Sequence, residues 1–511
     1  MKSRDVAERL RAYAEGRPLP SGATITVPIA EPEDRIVLSF VRMGGESLPW
    51  GIGYQLGEDP PVLLSAPDGR QRDPVGDMCA ELSKVLCGFL GSPLLTGEAV
   101  DPDNPPPLPL RQIWVPNRSH IEMIHLLNLR YSRTQYGDPA RSLILRALGR
   151  ASGFLFRESE REGQATVIDA SAVLRDHFVF PADDMRQQHL GFLLAMMNTD
   201  GSFDERMQAA EAAEEFSVSH TLTPELERDE LSPLVEAFNK AEGDGGAEVQ
   251  AAASAAVGEI IDAENRRRID LVNESIALLM KDARQENKGA AELAEDSIRE
   301  RDCYYRWQET TGALDGDVLP HLTTSALTDG VPASASKRYY RMLAASDKAS
   351  VCLLHDDPEL QKVAVAEGDA IKGTLAAVSR APSLKSDSDT EVEVWRVEAS
   401  ASLPSRIREG AKLCLAGSPD HDCIVTEVAV DGETRVLSIE PDKKLAGSLQ
   451  VEADVLLLPA SVAFFGIKKG KEAKNSDGPG AWLTHAQPGR PRRRGLNGPD
   501  VLERVEELRG S

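Results

Sequence analysis

Aromatic residues are scarce, at 5% of 511 positions, so any core must be mainly aliphatic. Cysteine is scarce too. The six thiols, Cys79, Cys87, Cys303, Cys352, Cys414 and Cys423, are scattered along the chain. That excludes a dense disulfide framework and predicts reduced thiols in the cytoplasm. No run approaches the roughly 18 apolar residues that span a bilayer, and the densest, Leu190 to Met197, reads as a buried helix segment. The opening MKSRDVAERLRAYAEG is charged and helical in pattern, without the apolar stretch of a secretory signal. A cytoplasmic protein with no membrane contact is expected. Positive charge is in short supply as well: 58 lysines and arginines stand against 82 carboxylates, a net charge of −24. Such a chain repels nucleic acid and anionic membrane over most of its surface, so any such contact must be a local basic segment.

Strong catalytic signatures are also missing. Gly51-Ile52-Gly53 with Gly57 resembles a fragment of a dinucleotide fingerprint, but it sits among strand-like runs and opens no helix. Glycines in a turn or bulge are the expectation there. Gly470-Lys471-Glu472 lacks the upstream glycine and the following Ser or Thr of a phosphate loop, which argues against ATP hydrolysis. Cys414, His421 and Cys423 give three soft ligands from one hairpin and no fourth, so they read as core thiols beside a surface histidine. Asp176-His177, Asp183-Asp184 and His355-Asp356-Asp357 read as loops and helix caps. No metal, no cofactor and no catalytic residue is expected.

The pattern that is present predicts an α+β multidomain protein: a small N-terminal α+β domain, a large helical middle, a C-terminal antiparallel β-barrel and a flexible basic tail. Residues 1–100 carry β-branched runs at Ala23 to Ile29, Arg35 to Arg42, Trp50 to Leu56 and Pro61 to Ser65. A helical pattern follows at Val75 to Leu90. Residues 101–112 are a proline-rich linker, and a domain boundary is expected there. Residues 113–350 read as helix after helix. Thr223-Pro224 opens one of them, and a long one over Ala247 to Glu286 carries the stripe Val257, Ile260, Ile261, Ile269, Val272, Ile276 and Leu279. An antiparallel hairpin with residues 290–307 would bury that stripe. From Asp200 to Asp244 the chain has 13 acidic and three basic residues, a solvated face that could meet a protein partner.

Over residues 351–465 the period changes to two. Ala370 to Val378, Glu391 to Val397, Lys412 to Leu415, Asp422 to Val430, Glu433 to Ile439 and Val451 to Leu458 are six short strands, and Asp431-Gly432 supplies a hairpin turn. A closed or nearly closed barrel is predicted. Residues 466–511 are flexible up to a short terminal helix at Asp500 to Leu508. Gly466 to Gly495 holds Lys468, Lys469, Lys471, Lys474, Arg490, Arg492, Arg493 and Arg494 against only Glu472 and Asp477. These eight cations are the expected nucleic-acid-binding residues. Gly489-Arg490-Pro491 followed by three arginines resembles an AT-hook, with Pro488 where that motif has arginine.

The stretches EGDAIKGTLAAVSR, VEVWRVEAS and IREGAKLCLAGSPDHDCIVTEVAVDGETRVLSIEP, within residues 367–460, resemble the accessory barrel of superfamily 1 helicases of the messenger-RNA-decay type. In that family the barrel precedes the motor and contacts nucleic acid. The motor motifs are absent from this sequence. The resemblance therefore implies an accessory module whose motor, a helicase or nuclease subunit, is a separate protein partner. The function expected is a non-enzymatic adaptor in nucleic-acid processing, with bacterial defence as its setting. It would bind protein through the acidic helical body and DNA or RNA through the barrel and tail. An enzyme with a site between helical body and barrel, and a purely structural oligomer, are the alternatives.

Overall fold

A computed structural model describes residues 2–21, 29–44, 47–90, 109–135, 139–161, 163, 165–214, 220–241, 246–281, 288–310, 331–383 and 391–460. The chain forms two compact units, one of Met1–Pro320 with Ala344–Val462, the other of His321–Leu343 with Ala463–Ser511. In the second unit the described residues are helical, 331–343. All that follows concerns the first unit, an α+β assembly that ends in a closed barrel.

Strands β1 (Leu19–Pro20) and β7 (Phe178–Val179) form a two-stranded antiparallel pair, and the first large sheet begins as an antiparallel meander of β2 (Arg35–Val41), β3 (Gly51–Leu56) and β4 (Val62–Ser65). The helix Arg72–Phe89 then leads to β5 (Gln112–Val115), and two further helices, Arg118–Tyr131 and Pro139–Ser159, lead to β6 (Val167–Asp169). Both β5 and β6 run parallel to β2, giving the order β4-β3-β2-β5-β6. The expected boundary at residues 101–112 therefore does not separate two domains. The strand that follows the proline-rich stretch pairs with the centre of the first sheet, so the first domain extends well past residue 100. Residues 101–108 lie outside the described residues.

Every residue of β2 is buried, as in a strand covered on both faces. Its alternate side chains feed two cores. Ile36, Leu38 and Phe40 join Ile52 and the three helices just named. Val37 joins Trp114, Ile168 and the short apolar helix Leu190–Asn198 on the other face, while Val41 packs with Trp50, Leu222 and Val235.

The long helix, Gly246–Leu279, closes that second face. Its stripe is buried as expected, but against the sheet. Ile269, Val272, Ile276 and Leu279 enter the core that holds Val37 and Trp114. Val257 and Ile261 enter the one that holds Val41 and Trp50. The expected hairpin partner packs elsewhere. In the helix Lys288–Thr310, Leu293 meets Ala345 and Ala349, and Ser297 donates to Glu158. A stripe specifies that one side must be covered, not what covers it.

Gly51 and Gly53 make this crossing possible. A Cβ on Gly51 would lie 2.1 Å from Ile261 Cγ2, and one on Gly53 would lie 2.9 Å from Asn265 Cβ. These glycines thus sit within a regular strand and admit the helix, where the sequence pointed to a turn or bulge.

The barrel is closed and antiparallel throughout, in the order β10-β11-β12-β9-β8-β13. Its strands are β8 (Ile371–Pro382), β9 (Glu391–Ser400), β10 (Lys412–Leu415), β11 (Asp422–Asp431), β12 (Thr434–Glu440) and β13 (Asp454–Pro459). Leu375, Trp395, Val397, Leu437, Ile439 and Leu457 fill the interior. Register shifts at Leu375/Ala377 and Val425/Glu427 bend β8 and β11, which helps a small sheet close on itself. The barrel is tied to the helix Val331–Asp356 where Gly417 N donates to His355 Nδ1 at 3.2 Å. Next to it, Asp357 caps the helix Pro358–Glu367 by accepting from Glu359 N and Leu360 N, so His355-Asp356-Asp357 is a joint and a cap. Among the described residues no helix is long and apolar enough to cross a membrane.

The helix–sheet crossing gives a stability test. Gly51→Ala should cost about 1–3 kcal/mol by overpacking. Combined with Ile261→Ala, which removes the clashing methyl, the loss in urea unfolding should be clearly smaller than the sum of the two single losses. Strict additivity would contradict the close approach.

Candidate functional site

In open sheets with parallel strands, the crevice beyond the carboxyl ends of those strands is the usual ligand position. Here it lies where β2 outruns β5. The parallel pairing of β2 with β5 stops at Val37 and Trp114, so the backbone of Phe40 has no strand partner on that side. Buried backbone groups must nevertheless be satisfied. Phe40 N donates to His120 Nδ1 at 3.1 Å, and Phe40 O accepts from Arg268 Nη1 at 2.6 Å. Arg42 N donates to His220 O at 2.7 Å, and His220 N donates to Ser119 Oγ at 2.9 Å. Asn117 accepts from Ser119 N as the cap of the helix that carries His120.

Arg268 is the hub. It is 2% exposed and also donates to Thr221 O and to Glu264. Burial pulls its pKa down, and the Glu264 carboxylate opposes that pull. Burial would raise the Glu264 carboxyl, but Arg267 and Arg268 outweigh it and hold the group below its ordinary value. The histidines respond in the opposite way. Burial, then the charges of Arg268 and His220, pushes His120 well below its ordinary value. Burial, then Arg42 and Arg268, lowers His220 to about 4. Both imidazoles are therefore neutral near pH 7, with ring centroids 6.3 Å apart. Chemically this is a plug of hydrogen bonds around the end of β2, in which the two ring nitrogens of buried His220 have no hydrogen-bond partner among the described residues. Neutral His120 can accept from Phe40 N only with its own proton on Nε2.

The barrel carries an open groove of about 870 Å3 formed by β8, β9, β12 and β13. Its charged lining is Lys372 against Glu398, Glu433 and Asp454. Three carboxylates to one cation repel a phosphate chain. Residues 367–460 as a whole carry ten lysines and arginines against 17 carboxylates.

The motifs weighed in the sequence have structural roles where they are described. Cys414 and Cys423 are fully buried in the barrel wall. The Cys414 thiol contacts Pro419 O, and burial followed by Asp422 pushes its pKa up to about 12, so it remains a thiol. His421 Nδ1 lies 3.9 Å from Asp442. Asp183 accepts from Met185 N and Arg186 N in a short helical turn. The eight expected nucleic-acid ligands, Lys468, Lys469, Lys471, Lys474, Arg490, Arg492, Arg493 and Arg494, lie outside the described residues.

The plug makes stability depend on pH in a defined direction. His220 titrates near its ordinary value when unfolded and near 4 when folded, so the unfolded chain binds the extra proton between those limits. Its contribution is complete above about pH 6.5 and is lost progressively down to pH 4, by up to about 3 kcal/mol. The difference in unfolding free energy between wild type and His220→Gln should shrink across that window. An unchanged difference would show that the fold does not disfavour the charged imidazole.

Comparison of the chain with protein-family models, with curated proteins and with solved structures finds no match.

Proposed function

We propose that this chain is a non-enzymatic accessory subunit that holds nucleic acid for a partner motor or nuclease. The observation that carries the reading is charge segregation. A chain of net charge −24 concentrates eight cations and two acids within Gly466 to Gly495, beginning a few residues after the last barrel strand. The glycines and prolines of that segment suit an extended strand that follows a phosphate backbone, and its Arg490-Pro491 element suits a narrow minor groove. The closed barrel fits the resemblance to helicase accessory barrels, but the charge of its groove favours the tail as the place where phosphates are met.

The partner would engage the acidic helices. Asp204, Glu211, Glu225, Asp229 and Glu230 are exposed on Phe203–Ala213 and on the segment from Pro224 to Leu231. A basic protein surface is the complement of such a face.

Full-length protein should bind a short A·T-rich duplex at low salt, with affinity falling steeply as salt rises. Deleting residues 466–495 should remove most of that affinity and leave the thermal midpoint unchanged. Fluorescence anisotropy at several salt concentrations measures this. Equal affinity after the deletion would refute the tail as the contact.

A further inference from the structure

A second basic segment lies inside the folded body. Residues 109–161 hold nine arginines and four carboxylates, against the sign of the whole chain. Four of the arginines are engaged in ion pairs: Arg111 with Asp34, Arg118 with Glu160, Arg141 with Asp73 and Asp77, and Arg161 with Asp296. The other five are Arg130, Arg133, Arg146, Arg150 and Arg157, and of these Arg150 also has a partner within the fold. They belong to the two helices Arg118–Tyr131 and Pro139–Ser159 and the turn just after the first.

These helices pack antiparallel and very closely. A Cβ on Gly149 would lie 2.2 Å from Ser132 N, and one on Gly153 would lie 2.5 Å from Asn128 Oδ1. At the other end of the seam the His125 ring stacks on Phe156 with centroids 4.1 Å apart. The inner faces, with Leu127, Leu145, Leu148 and Leu155, are committed to the core. Arg146, Arg150 and Arg157 are spaced i, i+4, i+11, which keeps them within about 40° of one another on the helix surface. That stripe borders the glycine seam on the side away from the core, and spans about 16 Å. Arg133 follows Ser132, which faces Gly149, so the first helix brings it toward the Arg146 and Arg150 end.

Arg130, Arg133 and Arg157 are exposed, and none has an acidic partner within ion-pair distance among the described residues. Arg146 and Arg150 are half-buried. The described acids of the segment do little to cancel these charges. Glu160 is taken by Arg118, Glu158 is buried and accepts from Ser297, and Glu122 is the one exposed carboxylate within the helix pair that has no ion-pair partner among the described residues.

We infer that this helical hairpin is a second phosphate-backbone contact, a rigid arginine ridge on which a nucleic acid lies while the tail holds it. The charge complementarity is local, because residues 109–161 carry nine arginines to four carboxylates in a chain of net charge −24. A guanidinium pairs with phosphate in bidentate fashion, which suits arginine to this task. The inference rests on the nucleic-acid reading above but not on the tail.

The test uses full-length protein and a 30-base-pair duplex, with four forms compared: wild type, Arg133/Arg157→Gln, the same two to Lys, and the deletion of residues 466–495. Arg130 is left unchanged, because two residues from both Asn128 and Ser132 it lies on the flank of its helix away from the seam. The Gln variant should bind about tenfold more weakly or worse, with a log-affinity against log-salt slope shallower by about 2. The Lys variant should restore the slope. Because both side chains are exposed, thermal midpoints should agree across the substituted forms. If wild type binds and the Gln variant matches it in affinity and slope, the ridge is refuted while the nucleic-acid reading stands. If the deletion leaves affinity intact and the Gln variant loses it, the tail falls and the ridge is supported. No binding by wild type at low salt would overturn both.

Discussion

The first unit depends on one long helix lying directly on a sheet. Gly51 and Gly53 remove the side chains that would hold Gly246–Leu279 away, and Arg268 reaches from that helix to the backbone of β2 beyond its last pairing with β5. Without the glycines the helix could not approach, and without Arg268 the end of β2 would bury the Phe40 carbonyl unsatisfied in an apolar core. The charge on Arg268 is tolerated because Glu264, one turn earlier, pairs with it at 2.7 Å. Removing either partner alone leaves the other buried and uncompensated, so the pair, His120 and His220 behave as one unit. The crevice where a sheet of this kind would usually offer a ligand site is thereby filled by the protein's own side chains.

Closure plays the corresponding part in the barrel. Six strands leave no free edge, so the all-antiparallel sheet has no tendency to pair with other chains. Trp395 fills its centre, with Nε1 donating to Glu393. The hairpin between β11 and β12 places Gly432 at the first central position with φ of +59°, flanked by the pair Asp431 and Thr434. A side chain at that φ would be strained, and the turn thereby fixes the register of two strands.

The barrel was the most legible element of the sequence. Its strands are half-buried, so apolar and polar residues alternate, and Lys412–Leu415 is found with the expected bounds. The first sheet was only half legible. QIWV and VID are short and buried on both faces, so they carry no alternation and disappear among helical patterns. The parallel pairing of QIWV with β2 spans 77 residues and that of VID with QIWV 54, distances that no local signal encodes. The stripe on the long helix was visible, as was the polar interruption at Asn265 to Arg268, but not that Arg268 would complete a strand. Of the candidate sites, the tail was legible from charge alone. The arginines of the helical hairpin are less legible, because the apolar faces dominate the pattern of those helices, although the i, i+4, i+11 spacing of Arg146, Arg150 and Arg157 puts them on one side.

Function in this account follows from where charge is placed. On the proposed reading, the acidic body would keep nucleic acid away from the barrel groove and the helices of residues 200–240, and would leave it two cationic places to rest, the hairpin and the tail. The most direct measurement is ultraviolet cross-linking of the full-length protein to a bromodeoxyuridine-containing duplex, followed by peptide mapping. The account predicts cross-linked peptides from residues 118–161 and 466–495. Cross-links confined to the barrel strands between residues 371 and 459, or to the long helix, would contradict it.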